Sequence, residues 1–280
     1  MELWFTEKSN DSVGLTLLIK EHLYHKESKY QTIDVLESAY YGKVLVIDKV
    51  VMLTERDEFV YHELLTHVPL QYMENPLSVL IIGGGDGGTA REVLKYRSVN
   101  RVVLVEIDKE VIETSKKFFP TLSFSFDDKR LEVMIEDGAK FVKETDEKFD
   151  LIIVDSTDPV GPGEVLFSSE FYKDCSSILK DNGVLTAQTE SPFDLVYRPV
   201  IQNIYKNLKT GFKTVRMYLG SIPTYPFGLW SFAFASNRMD PLKEELKNPF
   251  IPDGLKYYNR ELGRCVFNLP NFVKEIIDEA

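Results

Sequence analysis

Long apolar runs are missing from this chain. No stretch approaches the roughly 18 consecutive apolar residues a membrane helix needs, which argues against a membrane-spanning helical protein. Cysteine is scarce as well. Cys175 and Cys265 stand far apart with no CxxC or Cys/His spacing, which excludes a disulfide framework and a zinc module. The expectation is two reduced, buried thiols in a cytoplasmic protein. Basic charge is in deficit: 33 Lys and Arg face 44 Asp and Glu, for a net charge of −11 and a pI near 5.0. Such a surface repels nucleic acid and anionic lipid, so neither is an expected partner. The opening MELWFTEKSNDS lacks the basic-then-apolar order of a signal peptide. Internal repeats and low-complexity tracts are also missing.

What is present is a chain of 280 residues, 44% hydrophobic, enough for one large domain or one domain with a small companion. The first 70 or so residues read as short strands: 14–20, 30–38, 42–48 and 50–54, with a tight hairpin turn at Asp48-Lys49. A helix is predicted from about Glu58 to His67, ending before Pro69, and Asn75-Pro76 marks a boundary. From Leu77 apolar runs alternate with helical stretches at 87–97, 109–118, 138–145, 168–180 and 194–208. That alternation predicts an α/β fold: a doubly wound, mostly parallel Rossmann-like sheet of the methyltransferase type. Runs 212–219 and 229–236 are read as an antiparallel pair finishing the sheet, and a helix at 271–279 closes the chain. The organisation expected is a small N-terminal β-domain, 1–75, serving as lid or oligomer contact, and a larger domain, 76–280.

Ligands of an open α/β sheet bind where the strands end. Five apolar strands here each deliver an acid at that point: Asp86 in SVLIIGGGDGG, Glu106 in VVLVEID, Asp137 in EDGAKF, Asp155 and Asp158 in DSTDP, and Glu190 in QTES. Acids before helices often serve as N-caps, and Asp108 is assigned to that role. Glu106 is 23 positions after Gly83, close to the spacing at which an acid grips ribose hydroxyls. Asp137-Gly138 reads either as a helix cap or as a contact to an adenine amino group.

The glycine loop alone indicates a nucleotide-like ligand, and Asp86 narrows it. A pyrophosphate, or the carboxylate tail of S-adenosylmethionine, would meet a like charge there. A nucleoside with a purely cationic tail, such as decarboxylated S-adenosylmethionine, suits the loop better. The segment from Asp155 to Glu164, rich in Pro and Gly, reads as a loop over the crevice and a candidate mobile lid.

With these motifs in order, namely GGGDGGTAREVLKY (83–96), VEIDKEVIETSKKFFP (105–120), EDGAKFV, DSTDPVGPGEVLF, QTES, PTYPFGLWSFAFAS and DEFVYHELLTHVPL (57–70), the chain resembles the spermidine synthases, or polyamine aminopropyltransferases. The resemblance spans nearly the whole chain. It implies transfer of an aminopropyl group from decarboxylated S-adenosylmethionine to putrescine, giving spermidine and 5′-methylthioadenosine. It further implies a donor site of Gln31, Asp86, Glu106, Asp137, Gly138 and Pro162, and Asp155 as the base that takes the amine's proton. Tyr61, His62, Asp86, Asp158, Glu190 and Tyr225 would meet the acceptor, His62 in a supporting role where the family often has Gln. Gly163 stands where many members carry Ala. No cofactor or metal is implied, and a homodimer or homotetramer is. Agmatine, cadaverine or spermidine as acceptor, a small-amine methyltransferase, and a polyamine sensor without turnover are the alternatives.

Overall fold

The computed structural model describes residues 2–158 and 161–279. The chain opens with an antiparallel meander of five strands, β1 (Leu3–Lys8), β2 (Gly14–Glu27), β3 (Thr32–Ser38), β4 (Lys43–Ile47) and β5 (Val50–Thr54), in that spatial order. Asp48 and Lys49 both adopt positive φ (48° and 71°), as a two-residue hairpin turn between β4 and β5 requires. Strand β1 was not foreseen, because its pattern is inverted. Leu3 and Trp4 face outward, while the residue it buries is an acid, Glu7.

The second sheet has seven strands: β6 (Ser78–Gly83), β7 (Arg101–Glu106), β8 (Leu131–Ile135), β9 (Phe149–Asp155), β10 (Leu179–Gln188), β11 (Thr214–Ser221) and β12 (Leu229–Ser236). Their order is β11-β12-β10-β9-β6-β7-β8, with β10, β9, β6, β7 and β8 parallel and the last two strands in the chain antiparallel, as expected. The helices are α1 (Glu58–Tyr72), α2 (Gly88–Leu94), α3 (Lys109–Phe118), α4 (Pro120–Ser123), α5 (Gly138–Glu144), α6 (Ser169–Ile178), α7 (Arg198–Gly211), α8 (Arg260–Cys265) and α9 (Asn271–Asp278). Neither α4 nor α8 had a readable period.

Double winding explains the uninterrupted apolar strands. Val79, Ile81, Leu151 and Ile153 pack with α1 and α2 on one face of the sheet. Leu80, Ile82, Ile152 and Val154 pack with α5, α6, α7 and α9 on the other. Each such side chain, fully buried, contributes about 1.5–3 kcal/mol. The same burial corrects the end of α1. The helix continues through Pro69 to Tyr72, because Leu64, Leu65, Val68 and Leu70 are all inaccessible to solvent and packing outweighs one lost backbone bond. Cys175 is buried as expected, but Cys265 is exposed at the end of α8, whose buried face is confined to Gly263.

The two sheets meet through Ile33, Val35, Leu45, Ile47 and Leu53 of the meander, which pack on Val111 of α3 and on Phe119 and Leu122 at α4. The chain runs from β6 outward to β8, then returns to β9 on the other side of β6. The switch point therefore lies between β6 and β9. The meander overhangs that point, and the cleft lies between.

Candidate active site

The glycine loop is shaped by its neighbour. Gly83 pairs with Asp155 across β6 and β9, and Gly84 N–H donates to the Asp155 carbonyl at 2.8 Å. A side chain at Gly83 (φ +83°) would place Cβ 2.0 Å from that carbonyl oxygen, so glycine is required for the approach. Gly87 (φ +85°) then turns the chain into α2. Asp86 caps this entry, accepting from Gly88 N–H at 2.6 Å. The loop thus delivers a carboxylate beside Asp155.

Around these residues lies a cleft of about 360 Å³, floored by the strand ends and roofed by Leu45, Ile47, Val50 and Met52 of the meander. Gln31, Tyr61, His62, Asp86, Glu106, Asp137, Gly138, Asp155, Asp158 and Tyr225 all line it. Glu190 lines a smaller chamber, about 60 Å³, which shares Tyr61, Asp158 and Tyr225 with the cleft. The backbone of Pro162 lies in a 3-10 turn over 161–167; its side chain and residues 159 and 160 lie outside the described residues.

At the centre, Asp155 accepts hydrogen bonds on both oxygens, from Tyr61 Oη at 2.8 Å and from Thr89 Oγ1 at 2.6 Å. Burial and the adjacent Asp86 charge push its carboxyl up to about 6, against the lowering effect of His62, Thr89 and Tyr61. The Tyr61 phenol is driven well above its ordinary value, first by burial and then by Asp155, so it stays a donor. Burial opposes protonation of His62, but Asp86 and Glu58 outweigh it and raise the ring to about 10. Its Nδ1 meets Glu58 Oε2 at 2.7 Å and its Nε2 meets Asp86 Oδ1 at 3.3 Å. Arg91 in turn grips both Glu58 oxygens at 2.9 and 3.0 Å. Near pH 7 His62 is a cation and has no lone pair for a proton. Asp155 alone among these groups is ionised and still basic.

His62, Asp86 and Asp155 bring ligand-type atoms within 4.8 Å of one another, as do His22, His25 and Asp34 on the meander surface. In the cleft, both imidazole nitrogens already serve carboxylates, so this trio is an ion-paired cluster.

On the β7 and β8 side, burial and the nearby acids Asp108, Asp155 and Asp86 raise Glu106 to about 7, although Asp108 N–H bonds its Oε1 at 2.8 Å. Asp108 caps α3 through Glu110 N–H, and its Oδ2 takes Gln31 Nε2 at 3.1 Å, tying the meander to the sheet. Asp137 caps α5 through Ala139 and Lys140, so the cap reading applies to its Oδ1. A Cβ at Gly138 would lie 2.5 Å from Ile82 Cγ2, and glycine therefore keeps the cleft wall flat. On the β10 side, Glu190 is buried with a positive φ of 79°, a strained setting for a non-glycine residue. Burial and then Asp158 hold its carboxyl well above the usual range. Tyr225 packs on Tyr61, and its hydroxyl donates a hydrogen bond to Met52 O at 2.7 Å. At Gly163 a methyl would meet the Asp158 carbonyl at 2.9 Å, which glycine in this tight turn avoids.

Sequence reasoning missed Thr89, Glu58, Arg91, Glu7 and Asp194. Thr89 directly follows the glycine loop, a signal that was available. Glu7 had none, since burial of an acid on a strand whose Leu3 and Trp4 are exposed appears only in the fold.

A doubly wound sheet with acids at successive strand ends, an aspartate in its glycine loop and a roofing meander is the architecture of a family of transferases. Residues 58–245 match the family described as "Spermine/spermidine synthase domain", and residues 3–55 match "Spermidine synthase tetramerisation domain". The chain is 48% identical over 281 residues to a polyamine aminopropyltransferase of Thermoanaerobacter sp. (strain X514), covering both chains completely. It is 50% identical over 278 residues to the polyamine aminopropyltransferase of Caldicellulosiruptor saccharolyticus, covering 99% of each. Among solved structures, a spermidine synthase in complex with the transition state analogue AdoDATO superposes with a TM-score of 0.94 at 44% identity, covering 99% of this chain and 96% of that one. Spermidine synthase from Thermotoga maritima gives 0.91 at 42% identity, covering 99% and 95%. The chain belongs to the spermine/spermidine synthase family, the polyamine aminopropyltransferases.

Proposed function

We propose that this transferase moves the aminopropyl group of decarboxylated S-adenosylmethionine to putrescine by direct displacement, with Asp155 as general base. The observation that carries this reading is the pair Asp86 and Asp155. Two carboxylates stand within 4.8 Å of each other in one cleft, and their environments separate them, Asp86 lowered through His62 against the effect of burial and Asp155 raised to about 6. One is a fixed anion for the donor's ammonium and the other a base. Gln31, Glu106, Asp137 and Gly138 bound the adenosine side, with Glu106 on the ribose hydroxyls, and Pro162 is assigned there by the family resemblance alone.

The acceptor's near nitrogen attacks the propyl carbon attached to the sulfonium. A C–N bond forms, the C–S bond breaks with its electron pair going to sulfur, and neutral 5′-methylthioadenosine leaves. The proton from nitrogen goes to Asp155, whose hydrogen bonds from Tyr61 and Thr89 hold it in place. His62 orients Asp86, while Asp158 and Glu190 take the far end of the amine. The meander both roofs the cleft and is the contact for a homotetramer, in keeping with the family description it matches.

The test is product analysis with both donors against putrescine, cadaverine, agmatine and spermidine. Methylthioadenosine and spermidine from the decarboxylated donor with putrescine support the reading. Methylation from intact S-adenosylmethionine, or a clear preference for another amine, overturns it.

A further inference from the structure

Past Asp158 the cleft narrows into the chamber of about 60 Å³, whose lining includes Glu7, Glu190, Ser191, Asp194 and Trp230. Polar atoms without a partner concentrate there: Ser9 Oγ, Ser156 Oγ, Glu190 Oε1, Ser191 Oγ, Asp194 Oδ2 and Trp230 Nε1 all belong to residues lining it. Left unpaired, each such buried group costs about 1–3 kcal/mol, so a concentration of them marks a place for a polar ligand. Glu190 is 1% and Asp194 2% exposed. Among the described residues the only basic one lining the chamber is Lys8, which is itself exposed.

Asp194 divides its duties. Its Oδ1 accepts from Val196 N–H at 2.9 Å, and its carbonyl accepts from Tyr197 and Arg198, which leads the chain into α7. Its Oδ2 has no hydrogen-bond partner among the described residues. An ammonium has three donors. Three residues that line this chamber, within five positions of one another, each carry a buried acceptor with no partner among the described residues: Glu190 Oε1, Ser191 Oγ and Asp194 Oδ2.

We propose that Asp194 is a specificity-determining residue, whose Oδ2 joins Glu190 Oε1 and Ser191 Oγ in receiving the far ammonium of the acceptor. The inference rests on the aminopropyl-transfer reading and deepens it. It makes the enzyme selective for an α,ω-diamine over a monoamine of equal length, because without a far ammonium Glu190 Oε1 and Asp194 Oδ2 keep no hydrogen-bond partner.

The experiment is calorimetric titration of the enzyme, saturated with methylthioadenosine, by putrescine and by n-butylamine, for wild type, Asp194→Asn and Asp194→Ser. Both replacements keep an oxygen for the Val196 N–H. Putrescine should bind about ten- to a hundredfold more weakly to Asp194→Asn, while n-butylamine is unchanged. Asp194→Ser should do the same, which protects the test if one variant folds poorly. Equal weakening of both amines would mean a structural role only, and unchanged putrescine binding would mean no role; either overturns the inference. Wild-type turnover with putrescine and the decarboxylated donor is measured alongside. Its absence would overturn the transfer reading itself, whereas normal turnover with unaltered variants would sink only Asp194.

Discussion

The charge state of His62 bears directly on which group takes the proton, and it is measurable. The ring rises from its ordinary 6.5 to about 10, a difference of roughly 3.5, which corresponds to roughly 5 kcal/mol favouring the imidazolium. That is the scale expected for a buried ion paired on both sides, and it is shared between Asp86 and Glu58. The chain has four histidines, His22, His25, His62 and His67, so ring-labelled carbon NMR gives a countable set of Cε1–H signals. A His62→Gln variant assigns the relevant one. Between pH 6 and 9 it should stay at the imidazolium position and move only as pH approaches 10. Asp86→Asn removes one of the two carboxylates, so the midpoint should fall while Glu58 still holds Nδ1. Buried His67 should behave oppositely, since burial lowers it despite Glu92. A His62 signal that titrates near 6.5, or one indifferent to Asp86→Asn, would refute the assignment. A neutral His62 would then compete with Asp155 as the base.

Asp155→Asn should lower kcat by about 10²–10⁴-fold while leaving donor affinity nearly intact, checked by single-turnover and binding measurements. In the wild type the base must be ionised, so kcat/KM, which reports the free enzyme, should fall about tenfold per pH unit below the Asp155 value of about 6. A profile with no acid limb would speak against a carboxylate base. Gly88→Ala would set a methyl 2.3 Å from His62 Cε1, which forces the ring or α2 to move. The expected result is a cost of about 1–3 kcal/mol, seen as a lowered thermal midpoint, together with a shifted His62 signal. A variant that is as stable as wild type with an unmoved signal would contradict the packing.

The α/β domain was legible because its strands are long apolar runs and its helices start on recognisable caps, such as Asp108 and Asp137. The acids at the strand ends were legible for the same reason, since the fold class fixes where each run delivers its last residue. What escaped depends on tertiary burial. Glu7 turns inward from a strand whose Leu3 and Trp4 are exposed, and Pro69 sits inside a helix that the core holds together. Some partners of the foreseen residues were equally hidden. Glu58 stands i,i+4 from His62 on the predicted helix, a readable spacing, whereas the meeting of His62 with Asp86 and of Glu58 with Arg91 depends on α1 packing against α2, which no spacing encodes.

The central claim is that a carboxylate in the glycine loop selects a donor whose tail carries only positive charge. Its most direct measurement is the dissociation constant of decarboxylated and of intact S-adenosylmethionine, for wild type and for Asp86→Asn. The decarboxylated molecule should bind about ten- to a hundredfold more tightly to the wild type, and the ratio should collapse towards unity in the variant. Equal affinities in the wild type, or a ratio that survives the loss of the Asp86 charge, would contradict the claim.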